Sequence, residues 1–334
     1  MEDYEIVYAA DDGFASIMGV SVLSLLENNQ DLENLRVTIF DSGISDENKE
    51  KVEEIFQKYN RKMPRWIKPI DLEKKVGLSL DIARGSLAVY SRLFLSDYFD
   101  SNVKKILYID SDTIIVSSIK KLLETNLHGN VIGATKDAFS KFYRKNIEIG
   151  SYDAMINAGV FLVDLNKWKS EQVEKKILRY IIKKKGKVQL NDQGVLNHVL
   201  DGKIEFIDPK YNMISLYYEY TYSDMVKYRK PVNFYSEEEI EKAKSDPVII
   251  HYTSAFNTVR PWFENSTHPE TDKWLSYYRR SPWRSIPLTK DSKSGIKKII
   301  FNIYDFLPQK IALTIASVFQ IYIRPLKNRL VNRE

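Results

Sequence analysis

The chain has no cysteine. Disulfides, thiolate zinc sites, cysteine nucleophiles and iron–sulfur clusters are therefore excluded. A chain without cysteine folds in any redox compartment, so this fits a reducing one without requiring it. Histidine is scarce too: His128, His198, His251 and His268 are the full set of 4. A metal site must then rest chiefly on carboxylates, which favours Mg²⁺ or Mn²⁺ over zinc. With 13 Gly and 11 Pro in 334 residues, collagen-like and low-complexity chains drop out. No apolar stretch reaches the roughly 18 residues of a membrane-spanning helix. The longest charge-free run near the end, Ile311 to Ile323, has 13 residues. The opening MEDYEIVYAADD has no basic segment leading into an apolar one, so no secretion signal is read.

What is present is a globular composition, 43% apolar and 28% charged, long enough to bury a large core. At roughly 150 residues per domain, the length suggests two domains, or one large α/β domain with an appendage. The net charge of +5 is unevenly placed. From Ser281 onward ten Lys/Arg face three Asp/Glu, which leaves this segment at +7 and the first 280 residues at −2. The basic character belongs to the tail.

Apolar runs and helical spacing alternate along the chain. Glu5–Ala10, Leu35–Phe40, Lys105–Ile109, Val131–Ala134, Ala158–Asp164, Lys203–Ile207 and Pro247–His251 read as strands. Phe14–Glu27, Ser45–Tyr59, Ala88–Tyr98, Ser170–Lys185 and Asp192–Leu200 read as helices. This alternation predicts a mostly parallel sheet covered by helices. Residues 214–246, rich in Tyr and Glu, read as an irregular subdomain or lid, and Ser285–Gly295 as a linker. The division expected is 1–280 for the main domain and 281–334 for the tail.

Open α/β sheets bind ligands at the carboxyl ends of their strands. Asp11 and Asp12, Asp110 and Asp112, and His251 each follow an apolar strand directly. In Asp110-Ser111-Asp112 the carboxylates at i and i+2 point to one side and can share a divalent cation, although Asp-x-Asp is also common on solvated turns. A histidine at a strand end is more often a core or capping residue; as a ligand, its nitrogen would suit Mn²⁺ better than Mg²⁺. Asp192 and Gln193 could cap a helix or face a polyhydroxyl ligand, and Asn157 could do no more than satisfy a strand end.

Taken in order, YAADDGFA, YSRL, YIDSD, NAGVFLVDLNKW, LNDQG and HYTS followed by RPW resemble glycosyltransferase family 8 over about residues 4–275. The nearest likeness is to bacterial lipopolysaccharide α-galactosyltransferases, with a more distant one to glycogenin. The resemblance implies a GT-A fold, a UDP-sugar donor, a divalent metal, usually Mn²⁺ with Mg²⁺ as the alternative, and retention of anomeric configuration. It implies Asp110, Asp112 and His251 as metal ligands. It places Ala10, Asp11 and Asp12 along the uridine, with Phe14 stacked on uracil. Arg92 would meet the sugar or diphosphate, Asn157, Asp192 and Gln193 the donor hexose, Asp137 the donor or acceptor, and Ser111 and Ala158 the donor.

Three departures stand out. Gly13 occupies a place where relatives often have Asn. The usual His-x-x-Gly-x-x-Lys-Pro-Trp loop becomes HYTSAFNTVRPW, with Ser254 for Gly and an insertion. Arg260 stands where Lys precedes Pro-Trp. A guanidinium can still hold a diphosphate, bidentately, but Arg and Lys are not equivalent. On this resemblance, Asp192 and Gln193 are the catalytic candidates.

The tail carries two apolar stripes at helical spacing: Ile296, Ile299, Ile300, Ile303 and Leu307, then Ile311, Ile315, Val318 and Tyr322, followed by Arg324, Lys327, Arg329 and Arg333. Such helices either pack on the main domain or lie on an anionic membrane, with Trp283, Phe301, Tyr304, Phe306 and Tyr322 at headgroup level. Nucleic acid fits less well, because the basic residues are interleaved with Ile. The sequence thus points to a UDP-hexose transferase with a saccharide acceptor, peripheral on the cytoplasmic face of the cell membrane. Its oligomeric state is not read. A nucleotidyltransferase or phosphohydrolase would also use an acidic metal site but leaves NAGVFLVDLNKW and LNDQG unexplained. A UDP-sugar-binding scaffold without turnover is the rival from another class.

Overall fold

The structure is a computed structural model in which residues 4–78, 87–100, 102–254, 258–291 and 307–331 are described. Its strands, in chain order, are β1 (Tyr4–Ala10), β2 (Leu35–Asp41), β3 (Arg65–Ile67), β4 (Lys105–Ile109), β5 (Thr113–Ile115), β6 (Ile132–Lys136), β7 (Ile156–Asp164), β8 (Ile204–Phe206), β9 (Met213–Ile214) and β10 (Ile249–His251). A seven-stranded sheet has the order β3-β2-β1-β4-β7-β6-β8. Its pairs are parallel except where β7 runs antiparallel to β4 and β6. The α/β architecture with a mostly parallel sheet is the one the alternating pattern predicts.

The two faces of this sheet carry separate apolar layers. Ile6, Tyr8, Val37, Ile39, Leu107 and Ile109 meet the helix Ala15–Glu27 on one side. Val7, Phe40, Ile106, Tyr108 and Phe161 meet Leu93, Ile177 and Leu196 on the other. Burial on both sides explains why β1 and β7 read as continuous apolar runs rather than alternating ones. The helix Ala15–Glu27 is itself buried almost all round, so hydroxyls on it need partners. Ser21 Oγ lies 3.1 Å from Tyr8 Oη and 2.8 Å from Thr113 Oγ1.

A second sheet, β5-β10-β9, decides where the site forms. β10 runs antiparallel to β5 and parallel to β9, with His251 opposite Thr113. Asp110-Ser111-Asp112 is the link by which the chain leaves the large sheet at β4 and enters the small one at β5.

Two predicted helices differ in the structure. Ala88–Tyr98 is a 3₁₀ helix over Leu87–Leu93 and then irregular. Tyr90 through Leu95 are all buried. Ser170–Lys185 is a helix over Val173–Lys183, preceded by a separate short helix, Leu165–Ser170, with Gln172 at φ 51° between them. The break lets Trp168 and Ile177 reach the same core.

Residues 214–246 are helical where an irregular subdomain was expected. The helices Ser215–Glu219, Tyr222–Arg229 and Glu237–Ser245 pack together, the last opened by a capping box between Ser236 and Glu239. Leu313 and Ala316 of the tail join this cluster. The tail runs as a helix Gln309–Val318, a π turn Phe319–Ile323 and a helix Arg324–Val331. Pro325 has no N–H to offer the Ile321 carbonyl, which accepts from Ser140 Oγ at 3.4 Å instead. Tyr143 Oη donates to the Gln320 carbonyl at 2.9 Å, and Asn146 Nδ2 to that of Pro325 at 2.8 Å.

One face of the tail (Ala312, Leu313, Ala316, Ile321) is thus docked on the protein. The expected stripe Ile311, Ile315, Val318 and Tyr322 is exposed, joined by Phe319, Ile323, Leu326 and Leu330. Phe301, Tyr304 and Phe306, with most of the first stripe from Ile296, lie outside the described residues. Trp283 does not belong to any headgroup region: it is 1% exposed. Its ring packs so closely on Gly19 that a Cβ there would lie 2.2 Å away, and its Nε1 donates to Asn48 Oδ1 at 2.8 Å.

Trp283→Ala should therefore cost about 3–5 kcal/mol, read as a lowered denaturant midpoint. A second outcome concerns Glu219, whose carboxylate oxygens are buried without a hydrogen-bond partner. Burial pushes its pKa up to about 8, only partly offset by Arg229. The folded state then keeps a proton that the unfolded chain releases near 4.5, so stability falls as pH rises from 4.5 to about 8. Glu219→Gln should flatten that decline and exceed wild type in alkaline buffer. Equal midpoints there would contradict the assignment.

Candidate active site

The site is built on the Asp110–Asp112 link. Its backbone is held by Asp110 N–H donating to the Gly159 carbonyl at 2.7 Å and Tyr252 N–H donating to that of Asp112 at 2.8 Å. Ser111 turns away from the two carboxylates and donates to the Ala9 carbonyl at 2.8 Å, tying the link to the end of β1. Thr113 Oγ1 closes the turn on the Asp110 carbonyl at 2.9 Å.

His251 arrives from β10 and is 3% exposed. Its Nε2 lies 3.1 Å from Asp112 Oδ1 and 3.7 Å from Asp110 Oδ2. Burial alone would lower the His251 pKa, but the Asp112 and Asp110 carboxylates outweigh it and raise the value. Ligand atoms of Asp110, Asp112 and His251 all lie within 4.8 Å of one another. Two carboxylate oxygens and an imidazole nitrogen form a donor set suited to Mn²⁺.

Gly159 makes this approach geometrically feasible. A Cβ on it would sit 2.1 Å from His251 Cε1 and 2.9 Å from Asp110 Oδ2. The Gly in NAGVFLVD is thus the floor of the cradle, not merely a residue of β7.

Arg92 lies behind the carboxylates, 5% exposed. Its Nη2 is 2.6 Å from Asp110 Oδ1, its Nε 3.2 Å from Asp192 Oδ2, and its Nη1 donates to the Ala158 carbonyl at 2.8 Å. The guanidinium stacks on Tyr108, 4.3 Å from the ring centroid, while Tyr108 Oη donates to Asp110 Oδ1 at 3.1 Å. Burial works against its charge, but Asp110, Tyr108 and Asp192 outweigh that and hold the pKa above the usual arginine value.

The other candidates fall around this centre. Leu190 (φ 66°) and Asn191 (φ 51°) are both left-handed and turn the chain so that Asp192 and Gln193 open the helix Asn191–Val199. Consecutive non-glycine residues in that region are strained, a feature that collects at functional sites. Gln193 Nε2 donates to Asp137 Oδ2 at 3.1 Å, and Asn157 Nδ2 to the same oxygen at 3.1 Å. Gln193 Oε1 accepts from Ala158 N–H at 3.4 Å.

Beyond the end of β1, Asp11 caps the turn at Phe14 N–H, 3.2 Å away. Asp12 accepts from Ser45 N–H and Asn48 Nδ2, both at 2.8 Å, and these bonds hold its pKa below the usual carboxylate value. Phe14 meets Trp262 edge-on at 6.3 Å. Arg260 stacks on Trp262 at 4.6 Å, with Nη1 3.7 Å from Asp112 Oδ2. The loop that departs most from the family pattern therefore still brings its cation to the acidic pair; its residues 255–257 lie outside the described set.

Sequence reasoning did not reach Tyr108, Asn212 or Trp262 as members of the site. Tyr108 is an ordinary strand residue in KILYI, and Asn212 sits in a short unpatterned turn. Trp262 was visible in Arg260-Pro261-Trp262, but only as part of a motif.

The profile of glycosyl transferase family 8 matches residues 5–266. The chain belongs to that family. Within family 8 it is similar to the lipopolysaccharide 1,3-galactosyltransferase of Salmonella typhimurium, 24% identical over 90% of this chain and 86% of that protein. It is likewise similar to a lipopolysaccharide 1,2-glucosyltransferase of Escherichia coli K12, 26% identical over 90% of this chain and 83% of that one. General stress protein A of Bacillus subtilis is 24% identical over 85% of this chain and 96% of its own length. The crystal structure of the galactosyltransferase LgtC in complex with donor and acceptor sugar analogues superposes with a TM-score of 0.70 at 25% identity, covering 84% of this chain and 99% of that one. The fold is accordingly GT-A-like, and this family 8 glycosyltransferase carries a carboxylate–imidazole group consistent with a divalent metal.

Gly159→Ala should push His251 off the acidic pair. The expected result is a loss of Mn²⁺ affinity by roughly tenfold or more, with stability lowered by about 1–3 kcal/mol from overpacking. Electron paramagnetic resonance of free Mn²⁺ and a denaturation curve read the two effects separately.

Proposed function

We propose that this glycosyltransferase moves galactose or glucose from a UDP-sugar to a saccharide acceptor with retention of configuration. The observation that carries the proposal is the convergence of Asp110, Asp112 and His251 within 4.8 Å at the strand ends. Asp192 and Gln193 are joined to that group through Arg92 and Ala158. Similarity to lipopolysaccharide galactosyl- and glucosyltransferases supports a hexose donor and a lipid-linked saccharide acceptor.

In this reading Asp110, Asp112 and His251 hold Mn²⁺, with Mg²⁺ as the alternative. When bound, the ion supplies Lewis-acid stabilisation to the departing diphosphate. Ala10, Asp11, Asp12 and Phe14 line the uridine, and Ser111 fixes the floor beside it. Arg260 clamps the diphosphate, and Arg92 aligns the two carboxylates it pairs with while adding positive charge behind them. Asn157, Ala158 and Asp137 hold the hexose and set the Gln193 side chain. Positive charge developing at the anomeric carbon meets the Gln193 carbonyl and the Asp192 carboxylate. Attack from the same face follows, with a donor phosphate oxygen taking the acceptor's proton. A covalent glycosyl–enzyme trapped at Gln193 or Asp192 would overturn that route.

UDP release from a panel of UDP-sugars with Mn²⁺, first without acceptor and then with a membrane lipid extract, tests the proposal. One donor should be hydrolysed by wild type and not by Asp112→Ala, and lipid extract should stimulate turnover. Silence with every donor, alongside measurable UDP binding, would favour the UDP-sugar-binding scaffold.

The tail supports a second proposal: an anionic membrane surface as its partner, placing the enzyme peripherally on the cytoplasmic face. Ile311, Ile315, Phe319, Ile323, Leu326 and Leu330 leave one docked helix exposed along its outer face. Phe142 extends this face beside Tyr322, with ring centroids 5.0 Å apart. Lys310, Arg324, Lys327 and Arg329 flank it, each contributing up to about 1 kcal/mol near such a surface. Among the described residues no helix is long and apolar enough to cross a membrane. Ile315→Asp with Leu326→Asp should abolish sedimentation with anionic liposomes and leave acceptor-free donor hydrolysis intact. Unchanged sedimentation would remove the tail from that role.

A further inference from the structure

Asn212 belongs to no motif that points to chemistry. It is fully buried just before β9, with its amide between two site residues. Its Nδ2 donates to Asn157 Oδ1 at 2.9 Å, and its Oδ1 lies 2.8 Å from His251 Nδ1. The two ends of an amide have nearly the same shape, so only the surrounding hydrogen bonds fix which faces which.

Here those bonds are unambiguous. Asn157 Oδ1 accepts the backbone N–H of Gly159 at 2.9 Å, and a backbone nitrogen can only donate. Asn157 Nδ2 points the other way, to Asp137 Oδ2 at 3.1 Å. Asn157 therefore presents oxygen to Asn212, and Asn212 must answer with its amino group. Its oxygen is left for His251. An amide oxygen only accepts, so His251 Nδ1 carries a proton and Nε2 is the nitrogen turned to Asp110 and Asp112.

We propose that Asn212 is a positioning residue of the metal site. It holds the His251 proton on Nδ1 and sets the ring plane, so that the Nε2 lone pair is available to a divalent cation. The proposal rests on the metal-binding reading of Asp110, Asp112 and His251. It also places Asn212 in a buried chain that runs from His251 through Asn157 to Asp137. Among the described residues Asp137 accepts three N–H groups: Asn157 Nδ2 and Gln193 Nε2 at 3.1 Å each, and Ala138 N–H at 2.7 Å. The sugar end and the metal end are therefore aimed by one hydrogen-bonded sequence. Partners that orient a ligating histidine through its other ring nitrogen typically matter about 10- to 100-fold in metal affinity.

The first test uses the unaltered full chain labelled with ¹⁵N-histidine. It has four histidines, and His251 is assigned by its absence in His251→Asn. The metal-free protein should give a His251 Nδ1–H correlation that persists when Mg²⁺ is added. A His251 protonated on Nε2 alone overturns the proposal without any Asn212 variant being needed. Next, Asn212→Leu, which offers no acceptor, should lose that correlation and bind Mn²⁺ about 10- to 100-fold more weakly, read by electron paramagnetic resonance with and without UDP. Asn212→Asp keeps an acceptor oxygen and should keep the correlation. A folded Asn212→Leu with wild-type Mn²⁺ affinity overturns the proposal while leaving the metal reading intact. Failure of the wild type itself to bind Mn²⁺ overturns both.

Discussion

Asp110 at the end of β4 and Asp192 at the start of the helix Asn191–Val199 need a counter-charge that also aims them, and here that is Arg92. Its three nitrogens reach Asp110, Asp192 and the Ala158 carbonyl, and its face lies on Tyr108. Breaking a buried ion pair typically costs several kcal/mol, because the surviving charge is left without compensation. Fixed by Arg92, Asp110 presents Oδ2 to His251, and Asp192 is held beside Gln193. The Asp110–Asp112–His251 group and the Asp192–Gln193 pair are thus tied to one cation. Such preorganisation is what makes fixed charges effective when charge develops during a reaction.

The sheets supply the second constraint. Only because the chain crosses from β4 to β5 through Asp110-Ser111-Asp112 do two carboxylates lie at the junction of a large and a small sheet. Pairing of β10 with β5 then delivers His251 opposite Thr113, and the bare Gly159 in β7 leaves room for its ring. Each feature is unremarkable alone. Together they bring into one cradle residues separated by some 140 positions in the chain.

The tail's periodicity left two readings open, and the structure shows one face docked on the protein and the other exposed. A stripe at helical spacing can face a core or a membrane, and this helix has an apolar stripe on each side. Leu313, Ala316 and Ile321 face the helices of residues 215–245 and 141–146, while Ile311, Ile315 and Leu326 face outward. Pro325 contributes by freeing a carbonyl that Ser140 takes up, so the docked face is fixed by hydrogen bonds as well as by burial.

What the sequence by itself determined is whatever follows from local pattern and ordered motifs. The apolar runs of β1, β4 and β7 had to be doubly buried strands, and their alternation with amphipathic helices required a mostly parallel sheet. Asp110 and Asp112 were legible because they directly follow the apolar run of β4, and His251 because it ends that of β10. The 3₁₀ form of Leu87–Leu93 and the break at Gln172 were not, since both are imposed by what the chain packs against. Asn212 and Tyr108 were not legible either: nothing near Asn212 in the chain marks it. Its role exists only because β9 pairs with β10 and lies beside Asn157 of β7. Local pattern reports which face is buried. Which polar groups meet inside is decided by contacts between distant segments, and a buried amide takes its meaning from the neighbours that complete its hydrogen bonds.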